Sequence, residues 1–206
     1  MRKIYQILIA FIVISNSYSQ EVYFLTGTNI TKFNFSSEKG GIKTPLFSGT
    51  GFSSEMGYMR PLKNKRFSHS VSVNLNDYNV VAGDLANSYK WNTKYFGVNN
   101  SLDFTVPLTN NFKLMLKAGL NLSTIIHGRQ EINGAFYEIM NQDEFSGLIF
   151  IPNGLLHLKY KLNDFGYLSF GYGLSKSVIL FNISKEKLTT STNQIVFGIH
   201  FNIIKK

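Results

Sequence analysis

The sequence contains no cysteine and, beyond its N-terminus, no long apolar run. Disulfides, thiol catalysis, cysteine-ligated metals and lipid attachment through an N-terminal cysteine are therefore excluded. No later stretch reaches the roughly 18 consecutive apolar residues that indicate a membrane-spanning helix. The chain is then either soluble or crosses a bilayer as a closed β-barrel, which satisfies its backbone hydrogen bonds without water.

The first residues have the pattern of a secretory signal peptide. Met1-Arg2-Lys3 is followed by the apolar run Ile4–Ile14 and by Ser17-Tyr18-Ser19, which is a charged region, a hydrophobic region and a small-x-small ending. The run is too short for a spanning helix, so an uncleaved anchor is the weaker alternative. We predict a signal peptide over residues 1–19 and a single β-barrel domain over residues 20–206.

Basic residues outnumber acidic ones without forming a basic segment. The formal net charge of the chain is +9, and it becomes +7 once Arg2 and Lys3 are removed with the signal peptide. The lysines are scattered along the chain, and a secreted protein does not meet cytoplasmic nucleic acid. We predict no nucleic-acid partner.

Three short segments with turn chemistry divide residues 20–206 into four units of similar length. They are 60–65, 106–111 and 160–164, and their leucines at 62, 108 and 162 are 46 and 54 residues apart. Each unit is long enough for two strands and one longer loop, which predicts eight strands with the tight turns and both termini at one end. The four longer loops are expected at Ser36–Phe47, Asp77–Thr93, Ile126–Glu144 and Ser184–Lys187.

Apolar and polar residues alternate with period two between these turns. The clearest runs are Phe67–Leu75, Phe96–Val106, Phe112–Leu122, Leu168–Leu174 and Ile195–Ile203. Such runs predict strands with one apolar and one polar face. The polar faces are rich in glycine, serine and asparagine, which suit a crowded lumen, so we expect the apolar faces to contact lipid. The faces of segment 21–35 stay unassigned, because apolar residues occur in both registers.

These features resemble the small outer-membrane β-barrel families, the OmpX- and OmpA-like barrels, and in particular the PorT-like barrels of the Bacteroidetes type. The resemblance is carried by Ser17-Tyr18-Ser19-Gln20, the repeated Pro-Leu-x-Asn turns and the final strand Ile195–Ile203. It implies an all-β, eight-stranded antiparallel up-and-down transmembrane β-barrel with short periplasmic turns and longer extracellular loops. The expected location is the bacterial outer membrane, with outer-membrane lipid around the barrel and both termini in the periplasm.

Charged and histidine side chains in the polar register predict a network inside the barrel. Its candidate members are Glu55, Arg66, Asp103, Lys113, Lys117, His157, Lys159, Lys161 and His200. Buried charges must be paired or hydrated, and the interior of an eight-stranded barrel is filled by side chains. We expect a plug of ion pairs and hydrogen bonds, with a narrow anion path as the alternative.

Aromatic and apolar residues in the predicted loops suggest a surface for a protein partner. The candidates are Tyr78, Tyr89, Trp91, Phe136, Tyr137, Ile139, Met140, Ile179 and Phe181. Exposed aromatic side chains rimmed by charge are common at interfaces, although these residues could equally pack on one another above the barrel. The strand-like run Val178–Phe181 is expected to continue as paired β-structure above the membrane and to face the loop Ile126–Glu144.

The sequence favours a non-enzymatic envelope protein over two alternatives. No histidine has a serine two residues further on, the pair expected of lipid-modifying barrels, and no histidines have metal-ligand spacing. We therefore predict no catalytic, cofactor-binding or metal-binding residue and no cofactor. A lipid-modifying or proteolytic outer-membrane enzyme is the first alternative, and a soluble periplasmic lipocalin-like carrier is the second.

Overall fold

The structure is a computed structural model that describes residues 20–37, 46–83, 88–142, 145, 147–178 and 186–203. The predicted signal peptide and the candidate partner residues Ile179 and Phe181 lie outside these described residues. Within them, no helix is long and apolar enough to cross a membrane.

The described residues form nine β-strands. In chain order they are β1 (Gln20–Ser37), β2 (Leu46–Pro61), β3 (Phe67–Gly83), β4 (Ser88–Pro107), β5 (Phe112–Ile132), β6 (Ala135–Glu138), β7 (Leu148–Asn163), β8 (Gly166–Lys176) and β9 (Glu186–Ile203). Most are rich in β-branched and aromatic residues that alternate with small polar ones, which is the composition that a pleated strand with two different environments favours.

Eight of these strands close into a ring. Every neighbouring pair is antiparallel: β1 to β5 pair in sequence, β5 pairs with β7, β7 with β8, β8 with β9, and β9 with β1. The short strand β6 lies outside the ring and pairs with the last residues of β5. The predicted all-β, eight-stranded, up-and-down antiparallel barrel is confirmed.

The two ends of the barrel differ in their connections. At one end, here the turn end, lie the turns 62–66, 108–111 and 164–165 together with Gln20 and Ile203. These turns fall where the sequence predicted them. At the opposite end, here the loop end, β1, β3, β5 and β8 end and β2, β4, β7 and β9 begin.

Two of the four predicted loops are wrong. In place of the predicted loop Asp77–Thr93, β3 continues to Gly83 and β4 begins at Ser88. In place of most of the loop Ile126–Glu144, β5 continues to Ile132 and returns as β6. The strands therefore extend further toward the loop end than the alternation of apolar residues indicated.

The faces of the strands are as the alternation predicted. In β3, Val71 and Val73 point outward and are exposed, while Ser70 and Ser72 point inward and are buried. Because outward-facing valines alternate with serines buried inside the barrel, the arrangement is the inverse of a soluble lipocalin-like barrel and matches a barrel surrounded by lipid. The unassigned strand β1 is resolved in the same way, with Glu21 turned inward.

The apolar outer surface is concentrated in a belt next to the turn end. In β4 the outward residues are predominantly apolar from Phe96 to Val106, a rise of about 25 Å at about 3.3 Å per residue and a tilt near 40°. That is about the thickness of the apolar band of a membrane barrel. Beyond it the same strand carries Lys90, Asn92 and Lys94 on its outer face. We call these two regions the belt and the collar.

Candidate functional site

The interior of the belt holds a buried ion pair near mid-height. Lys117 on β5 forms a salt bridge with Glu55 on β2. Tyr23 accepts a hydrogen bond from the Lys117 ammonium at 2.8 Å, and its hydroxyl donates to Glu55 Oε1 at 2.7 Å. Ser72 also donates to Glu55, at 2.8 Å. The carboxylate therefore exchanges its hydration shell for three protein partners, which is what a buried charge requires.

A second ionic group lies closer to the turn end and is centred on Glu21. Lys159 Nζ is 2.5 Å from Glu21 Oε1, and His200 Nδ1 is 2.6 Å from the same oxygen. The other ring nitrogen of His200 lies 2.8 Å from Ser169 Oγ. With its proton on Nδ1, His200 donates to Glu21 and accepts from Ser169.

Asp103 and His157 occupy the remaining charged and imidazole positions of the lumen. Asp103 Oδ2 accepts a hydrogen bond from Ser70 at 2.7 Å, while its Oδ1 has no partner among the described residues. His157 is completely buried, and neither of its ring nitrogens has a partner in the described part of the chain. Its ring packs edge-on against His200, with the centroids 6.2 Å apart.

Two residues of the predicted network lie outside the lumen. Arg66 is exposed in the turn between β2 and β3. Lys161 lies at the end of β7, where its ammonium donates to Asp164 Oδ1 at 2.7 Å. This hydrogen bond and the positive charge hold the pKa of Asp164 below its ordinary value. Both assignments are corrected, because side chains this close to a turn reach water directly and do not enter the barrel.

Two members of the network were missed from the sequence. Glu21 and Tyr23 belong to β1, whose apolar residues occupy both registers. A signal was nevertheless present, since Lys159 in the polar register needs a carboxylate and Glu21 is an acidic residue at the same end of the barrel. The close approach of Tyr23 also depends on Gly57, where a Cβ would lie 2.4 Å from the tyrosine hydroxyl.

Amide side chains fill the lumen above the Lys117–Glu55 pair. Asn74 and Asn121 hydrogen-bond to each other at 3.1 Å, Asn29 reaches Asn76 at 3.1 Å, and Asn153 reaches Asn99 at 3.1 Å. The cavity among these amides has a volume of about 40 Å³, which is room for one or two water molecules. Among the described residues, the lumen is therefore a packed polar core at this level, with a cavity of water size and no open path.

An apolar cluster closes the barrel at the loop end. Its buried members are Phe33, Tyr78, Val80, Tyr95, Ile125, Ile139, Phe145, Ile149 and Ile151. Ile139 and Phe145 come from the segment that follows β6, which is tied back to β5 by a hydrogen bond from the Ile139 amide to the Gly128 carbonyl at 3.1 Å. We call this cluster the plug, because it separates the polar lumen from the loop end.

The plug accounts for most of the aromatic and apolar residues that the sequence assigned to a partner surface. Tyr78 and Ile139 are buried inside it, and Trp91 and Met140 pack against it. Tyr89 stacks on Trp91, with the ring centroids 6.3 Å apart. These five residues therefore agree with the alternative interpretation of the sequence, in which they pack against one another above the membrane.

Phe136 and Tyr137 remain exposed on the β5–β6 hairpin. The hairpin turns at Asn133-Gly134, where both residues have positive φ, the backbone that a two-residue type I′ turn needs. The relative exposures of Phe136 and Tyr137 are 61% and 51%. Arg129 lies over the Phe136 ring at 5.4 Å and forms an ion pair with Glu138 at 3.7 Å.

The barrel is open at the turn end, whereas the plug closes it at the loop end. A vestibule of about 350 Å³ enters the barrel from this side. Its charged lining consists of Glu21, Lys65, Lys113 and Lys159. Lys113, predicted to be lumenal, is half-buried here and donates to the Tyr167 hydroxyl at 2.7 Å.

The arrangement offers binding surfaces more readily than reactive groups. Within the described ranges, no three histidine, aspartate or glutamate side chains are grouped so that they could hold a metal ion. The Ser169–His200–Glu21 relay has the hydrogen bonds of a serine nucleophile with its base. However, Ser169 is buried and lines neither the vestibule nor the amide cavity.

Solved structures share this fold. Neisserial surface protein A superposes with a TM-score of 0.53 at 15% sequence identity, covering 88% of this chain and 97% of that chain. The outer membrane protein OprG from Pseudomonas aeruginosa superposes with a TM-score of 0.56 at 13% identity, covering 90% of this chain and 97% of that chain. No protein-family model matches the sequence, and the search of curated proteins found no match. The fold is that of the small outer-membrane β-barrels.

Proposed function

We propose that this chain is a non-enzymatic barrel of the bacterial outer membrane that binds a protein partner through its β5–β6 hairpin. In this proposal the turn end and both termini face the periplasm and the hairpin projects from the cell surface. The PorT-like affiliation that the sequence suggests, and the signal peptide over residues 1–19, belong to the same proposal. The belt supports a location in a membrane, because a soluble protein does not expose so large an apolar surface.

The observation that carries the proposal is the exposure of Phe136 and Tyr137. The other described candidates for the partner surface are partly or fully occupied by the plug, whereas these two rings stand clear of it. Charged residues flank the ring of Phe136, since Arg129 and Glu138 lie on the same face of the hairpin. Aromatic side chains that become buried inside a charged rim are the usual high-energy contacts of protein interfaces.

The outer edge of β6 adds a second means of recognition. Among the described residues, β6 pairs with β5 and with no strand on its other side. A free edge of four residues is too short to drive aggregation but can accept one extended segment of a partner.

An outer-membrane enzyme is supported less well. The serine of the Ser169–His200–Glu21 relay points into packed interior, and a hydrolase needs its nucleophile next to a space for substrate. We expect a fluorophosphonate probe to leave Ser169 unlabelled in the folded barrel. Labelling that Ser169→Ala abolishes would favour the enzyme over the binding protein.

Photo-crosslinking in intact cells tests the hairpin directly. We expect p-benzoyl-phenylalanine in place of Phe136 to give a protein adduct of defined size, because the ring then lies within the interface. The matched control is the same substitution at Phe165, an equally exposed ring in the β7–β8 turn at the opposite end. The absence of adducts at position 136, or the same adducts from both positions, would contradict the proposal.

The orientation is tested with single cysteines, since the chain has no other. Ala135→Cys, exposed on the hairpin, should react on intact cells with a membrane-impermeant maleimide. Asn110→Cys, exposed in the β4–β5 turn, should react only after the outer membrane is opened. The reverse pattern would place the hairpin in the periplasm.

A further inference from the structure

We propose that the vestibule at the turn end is a binding site for a small oxyanion, a phosphate or a carboxylate. This site lies at the opposite end of the barrel from the β5–β6 hairpin. A test of the site therefore does not depend on whether the hairpin binds a protein partner. It would give the barrel a ligand on the side that the proposed topology places in the periplasm.

The first argument is the balance of charge around the vestibule. Three lysines line it, Lys65, Lys113 and Lys159, against one carboxylate, Glu21. The Glu21 carboxylate does not neutralise Lys65 or Lys113, because it already accepts hydrogen bonds from Lys159 and His200. Asp103 does not line the vestibule and hydrogen-bonds to Ser70. The cavity therefore carries an excess of about two positive charges.

The second argument is the state of Lys113. Its ammonium is partly withdrawn from water, donates to the Tyr167 hydroxyl and lies 4.5 Å from the centroid of that ring. Among the described residues, no carboxylate lies within 4.0 Å of Lys113 or Lys65. A half-buried ammonium with only a phenol as partner keeps two donors free, and a charged acceptor satisfies them better than water.

The third argument is size and access. A volume of about 350 Å³ lies at the lower end of the range for small-molecule pockets. Ser68 and Thr105 also line the vestibule, and their hydroxyls can donate to an oxyanion between the lysines. The amide layer and the plug close the lumen beyond it, so a ligand enters and leaves from the turn end.

The chemistry favours an oxyanion over a cation or an apolar ligand. Lys113 and Lys65 repel cations, and an apolar ligand would leave both ammonium groups desolvated without a partner. A phosphate or carboxylate group can come from a soluble metabolite or from a lipid headgroup. The two sources share the same contacts with the lysines and differ in the acyl chains that follow.

Calorimetric titration of the purified full-length protein in a zwitterionic detergent tests the site. The probes are inorganic phosphate, citrate and dihexanoyl phosphatidic acid below its micelle concentration, with choline as the cationic control. We expect saturable binding of at least one oxyanion and none of choline. Tighter binding of citrate would indicate a soluble ligand, and tighter binding of the short-chain lipid would indicate a headgroup.

Matched lysine variants separate the vestibule from general charge. Lys65→Gln, in an exposed turn, should weaken binding about threefold, and Lys113→Met should weaken it at least tenfold. Lys94→Gln removes the same charge from the collar and should leave binding unchanged. All variants are first checked for the heat-dependent gel mobility of a folded barrel. If Lys113→Met does not fold, the comparison of Lys65→Gln with wild type tests the site alone. The proposal would be overturned if Lys65→Gln bound the oxyanion as tightly as the wild type. It would also be overturned if Lys94→Gln lowered the affinity as much as Lys65→Gln does.

Discussion

The belt and the collar of this barrel are built from the same strands with opposite polarity. In the belt of β3, Val73 points outward and Ser72 inward, whereas in the collar Asn79 points outward and Val80 inward. The β3–β4 register is unbroken between them. The strand therefore keeps its geometry while its chemistry inverts, because lipid surrounds the belt and water surrounds the collar.

This comparison explains why the sequence placed strand ends too early. The alternation of apolar residues in β3 changes phase between Leu75 and Tyr78, at the start of the predicted loop Asp77–Thr93. The structure shows paired strand through this point, with Asp77 opposite Lys94. This reversal of hydrophobic phase marks the upper limit of the belt; the β3–β4 register is unbroken there, while the pairing of β2 with β3 has a bulge between Ser48 and Ser53.

The largest expected effect comes from the interior of the belt. Lys117→Met should lower the free energy of unfolding by about 3–5 kcal/mol, because Glu55 is left as a buried carboxylate without its cation. This loss of stability is measured by urea unfolding in lipid vesicles. Unfolding is followed by the fluorescence of Trp91, the single tryptophan of the chain. The double variant Lys117→Met/Glu55→Gln should recover most of the loss. A double variant no more stable than the single one would show that charge balance is not the cause.

The outer surface of the belt should be nearly as sensitive. Leu116→Arg should cost about 2–4 kcal/mol, since it places a charge against lipid near mid-belt. Leu148 is as exposed, at 59% against 51% for Leu116, but lies at the loop-end limit of the belt, opposite Thr124. Leu148→Arg should cost at most about 1 kcal/mol. Equal losses in urea unfolding would mean that the belt ends elsewhere.

A smaller difference should separate two valines of β3. Val80 is fully buried in the plug and Val73 is 40% exposed on the belt. Alanine removes the same two methyl groups from each, but lipid fills the space at position 73 while a cavity remains at position 80. Val80→Ala should therefore be the more destabilising by about 1 kcal/mol. Equal destabilisation in vesicles would indicate that the plug relaxes around the change.

The smallest effect is expected on the outside of the collar. Lys94 and Asp77 form an ion pair at 3.6 Å, with the lysine nearly half exposed. Lys94→Gln should change the free energy of unfolding by less than about 1 kcal/mol, because exposed ion pairs are screened by water and salt. A loss comparable to that of Lys117→Met would show that the collar is not in water.

The fold was predictable because it depends on local patterns. The turn residues near Leu62, Leu108 and Leu162 and the alternation of β3, β4 and β5 each specify a short-range feature. The hairpin turn Asn133-Gly134 was also legible in the sequence, since Asn-Gly is the strongest signal for a two-residue turn. The hairpin was not predicted from the sequence, because no regular alternation of apolar and polar residues flanks this turn.

The candidate site was only partly predictable, because it is assembled across the ring. Glu21 and Lys159 meet although 138 residues separate them, and a strand pattern indicates which side a residue faces but not what lies opposite. In the same way, loop composition did not distinguish the buried Ile139 from the exposed Phe136.

The sequence by itself determined the eight strands of the ring, the tight turns at the turn end and the faces of the belt, because these follow from hydrogen-bonding geometry and from the polarity of the surroundings. Tertiary structure decided which charges pair, where the lumen is closed and which aromatic rings stay exposed. These depend on closure of the barrel, which brings β9 against β1 and folds Ile139 and Phe145 over the loop end. Contacts between residues that lie far apart in the chain produce no periodic pattern in the sequence, so they could not be predicted from it.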